Sequence, residues 1–361
     1  MFSSDAIRQN QWIASKASPC TGHRLGLEKT KRTRCVLLAA IGFVWANGVH
    51  ANEPVLLETR KIWNEGKHNA FTDLVRFRGE WFCTFREAED HVGGDGKIRV
   101  ITSPDGEAWR SAALIAEEGI DLRDPKFSVT PDNRLMIVAG GSVYGGTKVL
   151  KARQPRVLFT KDGAAWTPPI RVLQEGEWLW RVTWHDGKAY GVSYNASAGR
   201  DAEVEWRVQL VASDDGVHFE PVTTLDVKGH PNETTVRFTP DGEMIAFMRR
   251  EAGSKHAYLG VSKPPYKEWK WTETKHAVGG PNFLIFPDGS MWGAGRSYPG
   301  GARTVLAKMT RESYDPVLSF PSGGDNSYPG LVWREGLLWM SYYSSHEGKT
   351  SIYLAKIRLP E

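Results

Sequence analysis

Three arginines stand at one register of this chain. Counting seven residues on from six similarly placed turn residues, Gly79, Asn133, Gly187, Gly242, Gly289 and Gly336, reaches Arg86, Gly140, Tyr194, Arg249, Arg296 and Tyr343. The arginines lie in runs reading FCTFRE, IAFMRR and WGAGRS, whose apolar neighbours set them apart from ordinary solvated surface arginines. A guanidinium is a planar fork, so several converging on one point suit a carboxylate. Further polar groups add to these: Arg123 and Asp124 in LRDPK, Arg181 in WLWRVTW, and His346 in SYYSSHEGK. Arg123 and Asp124 are most economically read as an ion pair within one blade.

The elements that must position these groups follow from the turns. Each of the six lies between two short strand-like runs, as in VRFRGEWFCTFRE and VRFTPDGEMIAFMRR, and they are 54, 54, 55, 47 and 47 residues apart. A second turn family interleaves with the first: SPDGEAW at 103–109, TKDGAAW at 160–166 and SDDGVHF at 213–219, with SKPPYKEW at 262–269 taking their place in the fourth unit. Asp and Gly tolerate the backbone that tight turns need. Each unit therefore holds two hairpins, or four strands, the content of one propeller blade. A lone four-stranded sheet cannot bury both faces, so the units must stack and the ring must close. The expected fold is all-β, a six-bladed β-propeller. A sandwich or solenoid, which also spaces short strands closely, is the competing architecture.

Lys29, Lys31, Arg32 and Arg34 precede CVLLAAIGFVWANGVHA, an uncharged run ending in small residues. That pattern predicts a secretory signal cleaved near Ala51, with residues 1–28 a long lead-in. The apolar run is too short for a stable membrane span, so the mature chain is expected in the periplasm or the medium. Taking away 1–51 leaves 39 basic residues against 40 acidic ones. This near-neutral balance argues against a nucleic-acid surface. Cys20 and Cys35 leave with the leader, so Cys83 is the one thiol of 52–361 and no internal disulfide can form. The remaining chain reads as one domain and is expected to be a monomer.

The heptapeptides resemble a shortened Asp box, S-x-D-x-G-x-x-W, of the sialidase superfamily, and the resemblance covers nearly all of 55–358. It implies a six-bladed propeller with its site on the central axis and an arginine triad, for which Arg86, Arg249 and Arg296 are the candidates. Arg249 matches best, because MRR follows its turn as the family's RN does. HPNETTVRFTPDG resembles the family's glutamate segment and implies Glu233. NSYPGLVWREGLLW resembles its tyrosine segment and implies Tyr328. Both lie five residues before a strand end, Phe238 and Trp333, which suggests one inward register that Asp124 shares. A tyrosine is a poor nucleophile near its usual pKa of about 10, and a carboxylate acting as base activates it. The family's acid lies in the loop after the first inner hairpin, here FREAEDHVGGDGKIRV, with Asp90 and His91 the candidates and Glu87 and Asp95 less favoured. One departure is plain: NAFTDLVRF at 69–77 lacks the family's first arginine, and Arg86, one strand later, stands in for it.

The resemblance thus implies an exported exo-sialidase-like hydrolase that removes a terminal acidic sugar with retention of configuration. Arg181, Asp124 and Tyr343 are expected around the sugar. A polysaccharide lyase acting on uronate glycans and a non-catalytic glycan-binding propeller are the alternatives. GSVYGGTK at 141–148 echoes a phosphate loop, but its Thr precedes its Lys and no helix follows. No pattern of zinc or calcium ligands is evident, and no cofactor is expected.

Overall fold

The computed structural model describes residues 53–145, 148–196 and 205–360; the leader expected over 1–51 lies outside them. The described strands form six four-stranded antiparallel sheets arranged as a six-bladed β-propeller. Among the described residues no helix is long and apolar enough to cross a membrane. The innermost strands, blade 1 to blade 6, are His68–Phe77, Asp121–Val129, Glu177–His185, Pro231–Phe238, Gly279–Ile285 and Asn326–Arg334. Blades 1 to 5 run outward from these in chain order. Blade 6 does not: its outer strand is Val55–Trp63, which pairs antiparallel with Ser351–Arg358, Thr59 facing Ala355. The start of the propeller sequence thus closes the ring onto its end.

Each turn residue used to count the blades joins an inner strand to the next, and all six take positive φ, from 58° at Asn133 to 84° at Gly79. Glycine and asparagine adopt that backbone at least cost. The outer turns repeat one hydrogen-bonded plan. Ser103 Oγ accepts from Gly106 N at 2.8 Å, Asp105 Oδ1 accepts from Glu107 N at 2.8 Å, and Trp109 Nε1 donates to Gly106 O at 3.1 Å. The second heptapeptide does the same through Thr160, Asp162 and Trp166, and the third through Ser213 and Asp215. In the fourth unit the plan changes, yet Trp269 Nε1 still donates to the carbonyl three residues back, that of Tyr266, at 3.1 Å.

The aromatic at each outer turn packs into the interface with the preceding blade. Six apolar clusters fill the six interfaces, and Trp109, Trp166, Phe219 and Trp269 each belong to a different one. Each Leu, Ile or Phe fully buried there contributes about 1.5–3 kcal/mol over leaving it exposed. Stability is therefore distributed around the ring, and the axis is left free to carry polar groups.

One irregularity recurs in all six innermost strands. A β-bulge interrupts the pairing between Ala70 and Asp73, Arg123 and Lys126, Leu179 and Val182, Pro231 and Thr234, Gly279 and Asn282, and Ser327 and Gly330. A bulge sets two residues against one and re-aims their side chains. Phe71, Asp124, Gly280 and Tyr328 hold the first bulge position and take φ of 65°, 50°, 61° and 54°. Several of the side chains that reach the axis, Phe71, Asp124, Glu233 and Tyr328 among them, come from these bulges.

Candidate active site

A cavity of about 400 Å³ is lined from all six blades, with Phe71, Asp124, Trp178, Glu233, Arg296 and Tyr328 among its walls. At its base Tyr328 Oη donates to Glu233 Oε1 at 2.6 Å. Arg249 Nη1 donates to the same oxygen at 2.7 Å and lies 3.2 Å from Tyr328 Oη, while its Nη2 meets Glu251. Gly280 N donates to the other carboxylate oxygen at 2.8 Å. Burial alone would raise the Glu233 pKa, but Arg249 and the hydrogen bonds from Tyr328 and Gly280 outweigh it and hold the carboxyl below its usual range. Burial, reinforced by the Glu233 charge, pushes the Tyr328 phenol well above its ordinary value. At rest the pair is therefore a phenol donating to a carboxylate, an arrangement in which the carboxylate can take the phenol's proton.

Gly280 matters for a second reason. A Cβ there would stand 2.7 Å from two Tyr328 ring carbons, so only glycine lets the ring lie over blade 5 toward blade 4. Gly140 plays a similar part on blade 2, where a Cβ would fall 2.0 Å from the Trp178 ring.

Arg296 lines the cavity with its guanidinium 5.4 Å from the Tyr328 ring centre. It donates to Tyr343 Oη at 2.9 Å and, through Nε, to Asn326 O at 2.9 Å. Tyr343 is buried beneath it and passes its own hydrogen bond to Asp325 Oδ1 at 2.8 Å, so it supports Arg296 from outside the cavity wall. His91 lines the cavity near Phe71, and Asp124 lines it from blade 2. Asp124 Oδ1 is buried with no hydrogen-bond partner among the described residues, and burial raises the carboxyl's pKa. The expected Arg123–Asp124 pair is not formed in that way: Arg123 Nη1 meets Asp121 Oδ2 at 3.1 Å instead.

Besides Tyr343, three expected residues lie elsewhere. Arg86 is fully buried against Asp121, with Nε to Oδ1 at 2.6 Å and Nη2 to Oδ2 at 3.0 Å, so it does not join Arg249 and Arg296. It pairs across the strand with Ala70 just as Arg296 pairs with Gly279 on blade 5, so the Asp121 carboxylate, and not the register, keeps it from the axis. Arg181 is spent on Asp73 at 2.8 Å. Asp90 is exposed and held by Lys148 Nζ at 2.7 Å, outside the cavity lining. The shared register expected for Glu233, Tyr328 and Asp124 also needs correction. Tyr328 and Asp124 hold the first bulge position, whereas Glu233 holds the second, after Asn232. Both positions can face the axis because the bulge breaks strict alternation.

Sequence reasoning missed Arg153, whose buried Nη2 has no hydrogen-bond partner among the described residues, and Lys126. Lys126 lies beneath the cavity, its Nζ 5.0 Å from the Trp180 ring centre and 5.8 Å from that of Tyr328. It donates to the carbonyls of Phe71, Thr72 and Pro125 at 3.2–3.3 Å. The stretch 69–77, where the sialidase resemblance leads one to expect an arginine, instead brings Phe71 to the cavity, with the Arg123 guanidinium 5.0 Å from its ring centre.

A sialidase-like six-bladed propeller with a polar axial cavity is thus the class of structure defined here. No family model matches the chain, and no curated protein matches it. Among solved structures it is similar to a protein of unknown function from Dyadobacter fermentans, with a TM-score of 0.74 and 19% identity over 85% of this chain and 99% of that one. It is also similar to Trypanosoma rangeli sialidase, with a TM-score of 0.62 and 13% identity over 81% of this chain and 55% of that one. An α-L-arabinofuranosidase from Fusarium graminearum gives a TM-score of 0.64 and 14% identity, covering 84% and 98% of the two chains. These likenesses establish the fold.

Proposed function

We propose that the protein is an exported glycoside hydrolase that removes a terminal acidic sugar from glycans with retention of configuration. The observation that carries this reading is the buried 2.6 Å hydrogen bond from Tyr328 to Glu233, braced by Arg249 and Gly280. Tyr328 Oη attacks the anomeric carbon as its proton passes to Glu233, and a glycosyl–tyrosine intermediate forms. Water then displaces the tyrosine, which recovers its proton. Of the two acid candidates, His91 lines the cavity and Asp90 does not, so His91 is assigned the proton transfer to the leaving oxygen.

The preference for an acidic sugar rests on Arg123, Arg153, Arg249 and Arg296 around one cavity. Arg249 is committed to Glu233 and Glu251, which leaves Arg153 and Arg296 as the fork-like donors best placed for a substrate carboxylate. That the solved structures of similar fold include a sialidase and an arabinofuranosidase adds support for glycan chemistry. Export rests on the leader alone, and N-terminal sequencing of secreted material is expected to begin near Asn52.

The test is a screen of residues 52–361 against aryl glycosides of several acidic sugars, with NMR detection of the first-formed anomer. Release with retention supports the proposal. Release with inversion, or an unsaturated product absorbing in the ultraviolet as a lyase would give, contradicts it.

A further inference from the structure

The seam where blade 6 meets blade 1 holds a cluster that the Tyr328–Glu233 pair does not use. Asp325 Oδ2 lies 2.7 Å from His91 Nδ1 and 2.9 Å from His68 Nε2, and Tyr343 Oη donates to Oδ1 at 2.8 Å. Arg296 Nη2 is 3.6 Å from the same oxygen as Tyr343. Four groups from three blades therefore converge on one carboxylate. They hold its pKa far below the usual range even though burial opposes this.

His91 is fixed from its other sides as well. The Phe71 ring packs edge-on against it at 5.3 Å, and the His68 ring stands nearly perpendicular at 5.5 Å. Phe71 also packs against Tyr328, at 5.1 Å, so one aromatic ring separates His91 from the nucleophile. The loop backbone is clamped by two buried arginines that share Asp121. Arg86 donates to Asp90 O at 2.6 Å, and Arg123 donates to His91 O at 2.8 Å. The charged and titratable groups that face the ring are thus Asp325, His68, Arg123, Arg296, Tyr343 and, across the cavity, Asp124.

We propose that Asp325 is a positioning residue which binds Nδ1–H of His91, fixes its tautomer and leaves Nε2 facing the cavity as the proton-transferring atom. This rests on the glycosidase reading given above. A carboxylate on one imidazole nitrogen settles which nitrogen is left for chemistry. In the first half-reaction Nε2–H of the imidazolium passes its proton to the glycosidic oxygen as that C–O bond breaks. Tyr328 Oη meanwhile bonds to the anomeric carbon, and its proton goes to Glu233. In the second half-reaction the neutral Nε2 takes a proton from water as the water oxygen bonds to that carbon. The tyrosine C–O bond breaks, and Glu233 returns the proton to Oη. Only water is consumed. One ligand atom from each of His68, His91 and Asp325 lies within 4.8 Å of the others, a spacing that a metal ion would also fit. Hydrogen bonding fits these groups better, because His68 Nδ1 is buried with no hydrogen-bond partner among the described residues, whereas a metal-bound imidazole needs an acceptor for its second N–H.

Two measurements decide the matter. Long-range proton–nitrogen NMR of the histidine-labelled protein, with His91 assigned through His91→Gln, is expected to show neutral His91 as the Nδ1–H tautomer. Asp325→Asn is expected to lose that bonded proton signal. With aryl glycosides, Asp325→Asn is expected to lose at least about 30-fold more activity on an alkyl-like leaving group than on a nitrophenol, because only the poor leaving group needs the proton, and general acid catalysis contributes about 100-fold or more. A neutral Nε2–H tautomer in the wild type, or equal losses on both leaving groups, would overturn the proposal. So would one-to-one zinc binding that His91→Gln abolishes. If the wild type turns over none of the glycosides, the glycosidase reading falls, while the tautomer measurement, which needs no substrate and no folded variant of Asp325, still decides the role of Asp325.

Discussion

Tyr328 and Glu233 are hydrogen-bonded at 2.6 Å although a whole blade stands between those that carry them. The two meet because blade 5 withdraws at that point. Its bulge residue is Gly280, which offers no side chain and gives its N–H to Glu233. The Tyr328–Glu233 pair is therefore a property of three consecutive inner strands.

Gly280→Ala tests this directly. The added Cβ falls 2.7 Å from the Tyr328 ring, on a backbone with φ of 61°. The expected cost is about 1–3 kcal/mol in stability together with a fall of at least about tenfold in kcat, one tenfold step being about 1.4 kcal/mol in barrier height. Gly289→Ala is the control, since φ is 83° and nothing lies within 4 Å of its Cβ. It should cost stability and leave turnover intact, and equal kinetic effects of the two changes would refute the role given to Gly280.

Arg249→Lys keeps the charge but loses the fork that spans Glu233 and Glu251. Because the fork holds the base, the expected loss is about 1.5–3 kcal/mol of transition-state stabilisation, the range for a charged hydrogen bond. It should be seen mainly in kcat. A change confined to KM would mean that Arg249 serves the substrate and not Glu233.

Arg86→Met separates a structural arginine from a substrate ligand. Asp121 would keep only Arg123, and the His91 loop would lose one clamp. Removing one partner of a buried pair costs about 3–5 kcal/mol, and the remaining Arg123 contact places the expectation at the lower end. Urea unfolding measures it. An undiminished midpoint with a raised KM would restore Arg86 to the substrate.

Lys126 gives a pH signature. Burial, opposed by Asp124 and Asp73, pulls its pKa down to about 8 from an unfolded value of 10.5. Above about pH 8 the folded protein has released a proton that the unfolded chain still holds, so this residue's contribution to stability rises with pH until the unfolded value is reached. The stability of wild type relative to Lys126→Met is expected to increase by about 2–3 kcal/mol between pH 7 and pH 10. A flat difference would show that the ammonium is not held against its own desolvation.

The six blades were legible because turn residues with positive φ recur at nearly even spacing, and an Asp-Gly turn shows in the residue types. The closing strand Val55–Trp63 was not, since it has no repeat partner in its own hairpin and pairs with residues some 300 positions away. Of the site, Tyr328, Glu233, Arg249 and Arg296 could be named before the structure and do meet around the axis. The bulges hid the rest. Each adds one residue to an inner strand, which breaks strict alternation and turns Phe71 and Asp124 inward, while Arg86 is drawn away by Asp121, a partner on the next blade. Asp325, His68 and Gly280 carried no signal, because their roles arise only where separate blades meet.

The most direct measurement is intact-protein mass spectrometry with a slow substrate. A fluorine beside the anomeric carbon disfavours the positive charge that develops there, so a 2-fluoro or 2,3-difluoro analogue of the turned-over sugar should trap the glycosyl–enzyme intermediate. One adduct per chain of 52–361 is expected, located at Tyr328 by peptide mapping and absent in Tyr328→Phe, a variant that should fold and bind normally while losing turnover by orders of magnitude. An active wild type that forms no adduct, or forms one at another residue, would contradict this expectation.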